Sequence, residues 1–228
     1  MTIIDSYPIV FDNVNRLLCT SGNPNVWVVD EKDPQAKISQ LKVFFHTDQY
    51  LCFDEQATKG MSDITTSRTS HIIDDECDGI GVFNNEGLNL LVFADLKSNF
   101  DTNKIQHAFV QSLCSFMKLH SMLSLCEGYD LEQSDIEFVV TSCCFPNKDK
   151  ETNTYEWLVR EKTANPNSFV SRIAYPLLQN GSTSIFIKDF PIVENIPFNK
   201  KILDKKVRLS LVRSKNYTDT FVEYHLAV

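Results

Sequence analysis

The stretch from residue 76 to residue 100 constrains the fold more than any other part of the chain. Two apolar segments, 80–83 and 88–94, flank the sequence Asn-Asn-Glu-Gly at 84–87, and Asn and Gly favour tight turns. The pattern predicts a β-hairpin. If all four of these residues form the loop, Phe83 lies opposite Leu88.

Charged residues lie at the open end of this predicted hairpin. Glu76 and Asp78 precede the first strand, while Asp95 and Lys97 follow the second. The four-residue loop would place Glu76 opposite Asp95 and make Asp78 a diagonal neighbour of Asp95, at roughly 7–8 Å between backbones. Because burying charge on an apolar hairpin is costly, a bound cation would offset the cost. Mg²⁺ commonly takes one or two carboxylates together with water and substrate phosphate.

The order Asp78, a 16-residue gap, then Asp95-Leu96-Lys97 resembles the PD-(D/E)XK nuclease superfamily, the restriction-endonuclease-like enzymes. The resemblance covers residues 72–145, about a third of the chain. Cys77 stands where the proline of the family motif would be. The resemblance implies an α/β fold with an αβββαβ core, in which helices flank a mixed sheet, and Mg²⁺- or Mn²⁺-dependent cleavage of nucleic acid.

The family roles transfer to individual residues of this chain. The resemblance implies that Asp78 and Asp95 are metal ligands and that Lys97 is the catalytic lysine. Glu76 is the best further metal ligand, because the predicted register places it opposite Asp95. Gln106 is the closest match to the polar residue that such enzymes carry near the start of the following helix, with Gln111 second. For either glutamine, an ordinary surface position is an equally open interpretation.

A long helix and a buried strand follow the hairpin. Apolar residues at helical spacing predict a helix from Asp101 or Thr102 to about Leu125 that packs on the sheet, with Lys118 on its opposite, polar side. Residues 136–142 are β-branched and apolar, which predicts a core strand parallel to the second hairpin strand.

The remaining segments are less distinctive. Asp33-Pro34 resembles a helix start, so we expect a helix to about Phe45, after a short helix at 12–19. Glu55 is a weak candidate for a further acidic site residue. We expect a nuclease-like core with an N-terminal elaboration over 1–148, and a β-rich extension over 149–228 packed on it as one unit. Within that extension, segments 206–213 and 220–226 are expected to form a hairpin.

Composition limits the compartment and the chemistry. Seven cysteines without a C-x-x-C pair, and five scattered histidines, favour reduced buried thiols over disulfides or zinc. No apolar run approaches a membrane span and the start carries no secretory signal pattern, so we expect a cytoplasmic protein that does not bind membranes.

The charge balance bears on the partner. The net charge is −8, whereas phosphate binding usually requires a basic surface. Residues 198–228 carry seven Lys and Arg against three Asp and Glu, so this segment can contact phosphate, decorate a solvated strand pair, or leave nucleic-acid binding to a basic partner.

Two functions of different classes remain open from the sequence. The first is a Mg²⁺-dependent nuclease, with DNA the favoured substrate, acting as a homodimer or as the effector subunit of a defence-type complex. The second is a non-catalytic interaction subunit that keeps the nuclease-like fold. Binding of a divalent metal discriminates between the two.

Overall fold

The computed structural model describes residues 1–11, 19–20, 24–54, 56–59, 75–190, 193 and 198–227. The predicted helix at 12–19 falls largely outside these residues, and Glu55 lies outside them. The described strands are β1 (Cys19–Thr20), β2 (Asn25–Asp30), β3 (Gln40–Phe45), β4 (Tyr50–Asp54), β5 (Gly79–Asn85), β6 (Leu88–Asp95), β7 (Ser134–Ser142), β8 (Ser182–Phe186), β9 (Lys206–Arg213) and β10 (Phe221–His225). The described helices are α1 (Ile3–Val10), α2 (Gln56–Lys59), α3 (Thr102–Leu123), α4 (Lys148–Ala164), α5 (Tyr175–Asn180) and α6 (Lys200–Leu203), with a π-helical turn at Val170–Ala174 and a 3₁₀ turn at Ile187–Asp189.

Six strands form the main sheet, in the order β4-β5-β6-β7-β9-β8. β4, β5 and β6 make an antiparallel meander, whereas β6, β7 and β9 run parallel to one another and β8 is antiparallel to β9. The predicted parallel pairing of β6 with β7 across a helix is therefore confirmed. The protein is an α/β protein with mixed sheets flanked by helices.

A second sheet of four strands, in the order β1-β2-β3-β10, packs on one face of the main sheet. The expected helix from Asp33 to Phe45 is wrong, because residues 40–45 form β3. Along β3 the buried positions Leu41, Val43 and Phe45 alternate with half-buried ones, which is the period of a strand against a core. Two apolar layers meet here, and their side chains form one buried cluster between the sheets.

The last strand, β10, belongs to the smaller sheet. The expected hairpin of β9 with β10 is wrong, because β10 pairs parallel with β3, from Phe221 opposite Gln40 to His225 opposite Phe44. The pairing of β10 with β3 places Val222 and Leu226 in the buried cluster between the two sheets. Residues 182–213, by contrast, contribute β8 and β9 to the main sheet itself.

Two glycines in β5 allow the sheets to approach closely. A Cβ atom on Gly79 would lie 2.8 Å from Trp27 and from Val29, and one on Gly81 would lie 2.9 Å from Trp27. These distances are shorter than van der Waals contact, so the indole of Trp27 occupies space that side chains at both positions would fill.

The β5–β6 turn is tighter than the sequence suggested. Glu86 and Gly87 both have positive φ angles, 51° and 89°, which is typical of a two-residue hairpin turn. Phe83 therefore pairs with Leu90, not with Leu88, and the register moves by two residues. Gly79 pairs with Ala94, so one step further along the ladder Asp78 stands opposite Asp95.

Helix α3 covers the other face of the main sheet. Its N-cap is Asp101, whose carboxylate accepts hydrogen bonds from the backbone of Asn103 and Lys104. The predicted apolar stripe is buried, including Ile105 and Phe109. Among the described residues, no helix combines the length and the apolarity that crossing a bilayer requires.

Candidate active site

Two aspartates and a lysine meet at the open end of the β5–β6 hairpin. Asp78 immediately precedes β5, Asp95 is the last residue of β6, and Lys97 follows two residues later. The observed register brings the two aspartates directly across from each other. An Oδ2 atom of Asp78 accepts a 2.6 Å hydrogen bond from the backbone N–H of Leu96, which fixes the Asp78 carboxylate against the end of β6.

Asp95 is fully buried, with 0% of its surface exposed. Its Oδ1 atom contacts the ammonium of Lys97. Its Oδ2 atom has no hydrogen-bond partner among the described residues. A buried carboxylate oxygen without a partner is costly, so this atom is an acceptor available to a bound cation or to a proton.

Burial also shifts the protonation of both aspartates. It raises the pKa of Asp78 to about 7, and the charge of Asp95 adds to the increase. It raises the pKa of Asp95 to about 6, although the Lys97 ammonium opposes the shift. The charge of Glu31, in the segment after β2, raises the pKa of both groups further. Carboxyl groups with raised pKa values inside a fold are typical of functional sites.

Lys97 is held from two directions. Its ammonium donates a 3.2 Å hydrogen bond to Oε1 of Gln111 on α3, and the Gln111 amide donates in turn to the backbone carbonyl of Glu76 at 3.1 Å. The backbone N–H of Lys97 donates to Oγ1 of Thr141 on β7 at 3.0 Å. Gln111 therefore links the lysine to the segment that carries Asp78, and Thr141 fixes the backbone beneath it.

Glu76 faces a lysine of α3. Its Oε1 atom is 2.7 Å from the ammonium of Lys118 on α3, which also donates to the backbone carbonyl of Asp75 at 3.3 Å. Lys118 lies on the same side of α3 as Gln111, as predicted, but it is fully buried because segment 75–77 covers this side. The two-residue change in register, which places Asp78 rather than Glu76 opposite Asp95, explains the position of Glu76.

The glutamine that contacts the lysine is Gln111, the second of the two sequence candidates. Gln106 is half-buried on α3, more than one turn nearer the start of the helix. Gln111, Ser115 and Lys118 follow one another at helical spacing, and all three bind the segment at 75–77, Ser115 through a 2.9 Å hydrogen bond from the backbone of Cys77. The sequence shows that these three residues share one side of the helix, but it does not show that the segment at 75–77 packs on that side.

The carboxylates of the site suit a metal ion that prefers oxygen ligands and takes only one or two of them from the protein. Within the described ranges, no group of three or more His, Cys, Asp and Glu side chains is arranged to hold a metal ion. Asp78 and Asp95 are two carboxylates, and Mg²⁺ commonly binds through one or two carboxylates with water and phosphate oxygens completing its shell. The unpartnered Oδ2 atom of Asp95 fits such an ion.

Two contributors to the site were not predicted from the sequence. Glu31 directly follows β2 of the smaller sheet, and Thr141 belongs to β7. Only the packing of the elements brings the charge of Glu31 close enough to act on the two aspartates and brings Thr141 into contact with Lys97. Comparison of the chain with protein-family models, with curated proteins and with solved structures finds no match.

Proposed function

We propose that this protein is a metal-dependent nuclease that hydrolyses phosphodiester bonds of nucleic acid, with DNA the favoured substrate. The observation that carries the proposal is the buried pair of Asp78 and Asp95, with one carboxylate oxygen unpartnered and Lys97 beside it. Carboxylates that hold a metal ion can activate water at a phosphodiester, and a cationic group beside them offsets the charge that develops on the phosphate.

The topology supports a restriction-endonuclease-like core for this proposal. The meander β4-β5-β6 is followed by α3 and then by β7, parallel to β6. This order matches the βββαβ part of the αβββαβ core that the PD-(D/E)XK resemblance implies. It differs in two places: β3 of the smaller sheet, not a helix, precedes β4, and the short helix α2 lies between β4 and β5. Asp78 precedes β5 and Asp95 ends β6, which agrees with the spacing of the motif. The support rests on the order of the elements and on these residues alone.

Each residue has a distinct task in the proposed reaction. A Mg²⁺ or Mn²⁺ ion held by Asp78 and Asp95 would polarise the phosphate and lower the pKa of a bound water. Lys97 holds a proton at Nζ beside the phosphate and offsets the negative charge that develops on it. Gln111 keeps the Lys97 side chain oriented, so it is a positioning residue. Water adds to phosphorus and gives up a proton to solvent, the ester P–O bond breaks, and the leaving oxygen takes up a proton from solvent.

The charge distribution bears on how substrate would reach the site. Of the seven basic residues between 198 and 228, Arg213 and Lys215 lie at or beyond the C-terminal end of β9, and because β9 runs parallel to β7 and β6, this is the edge that carries Lys97. The other five precede or begin β9. With a net charge of −8, a second copy or a basic subunit of a larger complex would supply the remaining phosphate contacts.

The test is cleavage of linear, circular and single-stranded DNA and of RNA with Mg²⁺ or Mn²⁺. We expect activity that EDTA, Asp95→Asn and Lys97→Ala each abolish, while Lys104→Ala, an exposed lysine on α3, retains it. Comparing Gln111→Ala with Gln106→Ala decides which glutamine supports the lysine. Activity that persists in Asp95→Asn would refute the assignment of the site.

A non-catalytic interaction subunit is the second candidate. The direct contact of Lys97 with Asp95 favours it, because an ion pair that neutralises itself can serve structure alone. Trp157 and Val159 on α4 are also about half exposed, at 46% and 45%, as contact residues would be. For this function we expect no cleavage, and a thermal midpoint that is identical with and without Mn²⁺.

A further inference from the structure

A cleft of about 430 Å³ lies at one end of the strands of the main sheet, and the aspartate pair lies at the other end. It opens where β7 and β9 begin, whereas Asp95 pairs with Val140 far along β7. The side chains that matter in it are charged or hydroxylated: Asp135, Glu137, Ser184, Lys206, Arg208 and Tyr224. The proposed cleavage reaction assigns no role to these side chains.

Strand register places these groups in two rows on one face of the sheet. Glu137 on β7 lies opposite Arg208 on β9, which lies opposite Ser184 on the edge strand β8. Two residues earlier on the same face, Asp135 and Lys206 are neighbours by the same register. Lys206, Arg208 and Ser184 are exposed, so the smaller sheet does not cover this part of the face.

The arginine of the cleft lies beside a buried carboxylate. Glu137 is 4% exposed, and its Oε1 atom accepts hydrogen bonds of 2.5 Å from both Ser210 and Tyr224. The same atom lies 3.3 Å from Nε of Arg208. This contact uses one corner of the guanidinium, and its terminal Nη groups have no partner among the described residues. These terminal groups are a pair of donors that can bind an anion in two places at once.

The other charged side chains that we use in the cleft are Lys206 and Asp135, and the charge of Asp135 also acts on the neighbouring Lys205. Neither Lys206 nor Asp135 makes an ion pair with any residue in the described part of the chain. Lys206 and the free edge of Arg208 can bind one anionic group together, and phosphate matches the donor geometry of a guanidinium. Asp135 can only accept hydrogen bonds when ionised, so it suits a ligand hydroxyl and repels a second anionic group.

We propose that this cleft binds a small phosphorylated ligand that carries hydroxyl groups, the class that includes sugar phosphates and nucleotides. The phosphate contacts Lys206 and Arg208, and a hydroxyl of the ligand donates to Asp135. The volume falls within the range of roughly 300–1,000 Å³ that small-ligand clefts occupy. Charge on the lining is balanced, which favours a ligand with one anionic end over a polyanion such as a nucleic-acid strand.

A purely structural role accounts for only part of the cluster. The bonds of Glu137 to Ser210 and Tyr224 join β10 to the main sheet and would stabilise the fold without a ligand. Such a role requires neither Lys206 nor Asp135, whose side chains are exposed and contribute nothing to that junction. Substitution of these two residues therefore separates ligand binding from stability.

The experiment is isothermal titration of the full chain with ribose 5-phosphate, AMP, inorganic phosphate and adenosine, and with a short DNA oligonucleotide. We expect binding of the first two, weaker binding of phosphate, and none of adenosine. Lys206→Gln and Arg208→Lys should each raise Kd roughly tenfold or more. Arg160→Gln, an exposed arginine on α4, is the matched control and should leave Kd unchanged.

Several outcomes would overturn the proposal. One is the absence of binding by ribose 5-phosphate and AMP at concentrations on the order of 5 mM. Another is a Kd that Lys206→Gln does not change, at an unaltered thermal midpoint. Binding of the oligonucleotide with loss in Lys206→Gln, but of neither small ligand, would assign the surface to nucleic acid instead. The Asp95→Asn protein should bind ribose 5-phosphate normally, so this result is independent of the nuclease proposal.

Discussion

Replacing Asp78 with asparagine should stabilise the protein at alkaline pH. Burial raises the pKa of Asp78 from 3.8 to about 7, roughly three pKa units, and each unit is worth about 1.4 kcal/mol. Ionised Asp78 therefore costs the folded state at most about 4 kcal/mol. The hydrogen bond from Leu96 would lose its charged acceptor, which offsets about 1 kcal/mol. We expect the free energy of unfolding at pH 8 to rise by about 1–3 kcal/mol.

The sign of the pH dependence follows from proton binding. Between pH 4 and pH 7 the folded protein holds more protons at Asp78 and Asp95 than the unfolded chain does, because both pKa values are raised on folding. The stability that the pair permits is therefore present at low pH and is lost as the pH rises through about 7. Asp78→Asn removes its share of this loss and lowers the pKa of Asp95 by removing a like charge.

Urea denaturation measured from pH 4.5 to pH 8 tests this reasoning. The difference between Asp78→Asn and the unmodified protein should be small at pH 4.5 and should grow with pH. Asp48→Asn, at an exposed aspartate between β3 and β4, controls for the change in net charge alone. A variant that is destabilised at pH 8, or a difference that is constant with pH, would show that Asp78 is not an uncompensated buried charge.

Two further predictions concern packing and the buried ion pair. Gly79→Ala places a Cβ atom 2.8 Å from Trp27 and Val29, and should lower the free energy of unfolding by about 1–3 kcal/mol, measured by urea denaturation; a neutral effect would mean that the two sheets separate freely. Lys118→Met removes the cation that faces Glu76 and should cost about 3–5 kcal/mol, of which the added Glu76→Gln substitution should restore a large part. Calorimetry of the single and double variants checks this, and additive effects would contradict a direct pair.

Local patterns in the sequence determined the elements around the site. Strands β5, β6 and β7 and helix α3 were all predicted, because each has a long apolar periodicity and a distinct turn or cap. The Asp101 cap and the parallel return strand both follow from short-range chemistry. The same patterns placed Asp78, Asp95 and Lys97 at the open end of one hairpin, where the structure has them.

The register between β5 and β6 could not be predicted from the sequence. Four consecutive turn-favouring residues allow either a two- or a four-residue loop, and only the positive φ angles of Glu86 and Gly87 show which one forms. The choice decides whether Glu76 or Asp78 faces Asp95. A two-residue difference keeps every side chain on its face, so the apolar alternation of the strands is the same in both registers and cannot distinguish them.

Contacts between distant segments were decided by the tertiary structure alone. Asp33-Pro34 suggests the start of a helix that would include the residues of β3, and β10 follows β9 closely enough to suggest a hairpin. Both β3 and β10 are instead strands of the smaller sheet. The buried cation of Lys118 and the Gln111 bridge to Glu76 also depend on which segment packs on α3. Periodicity shows that a side chain has a buried face, but its partner is set by burial of the whole apolar surface, which involves residues more than a hundred positions apart.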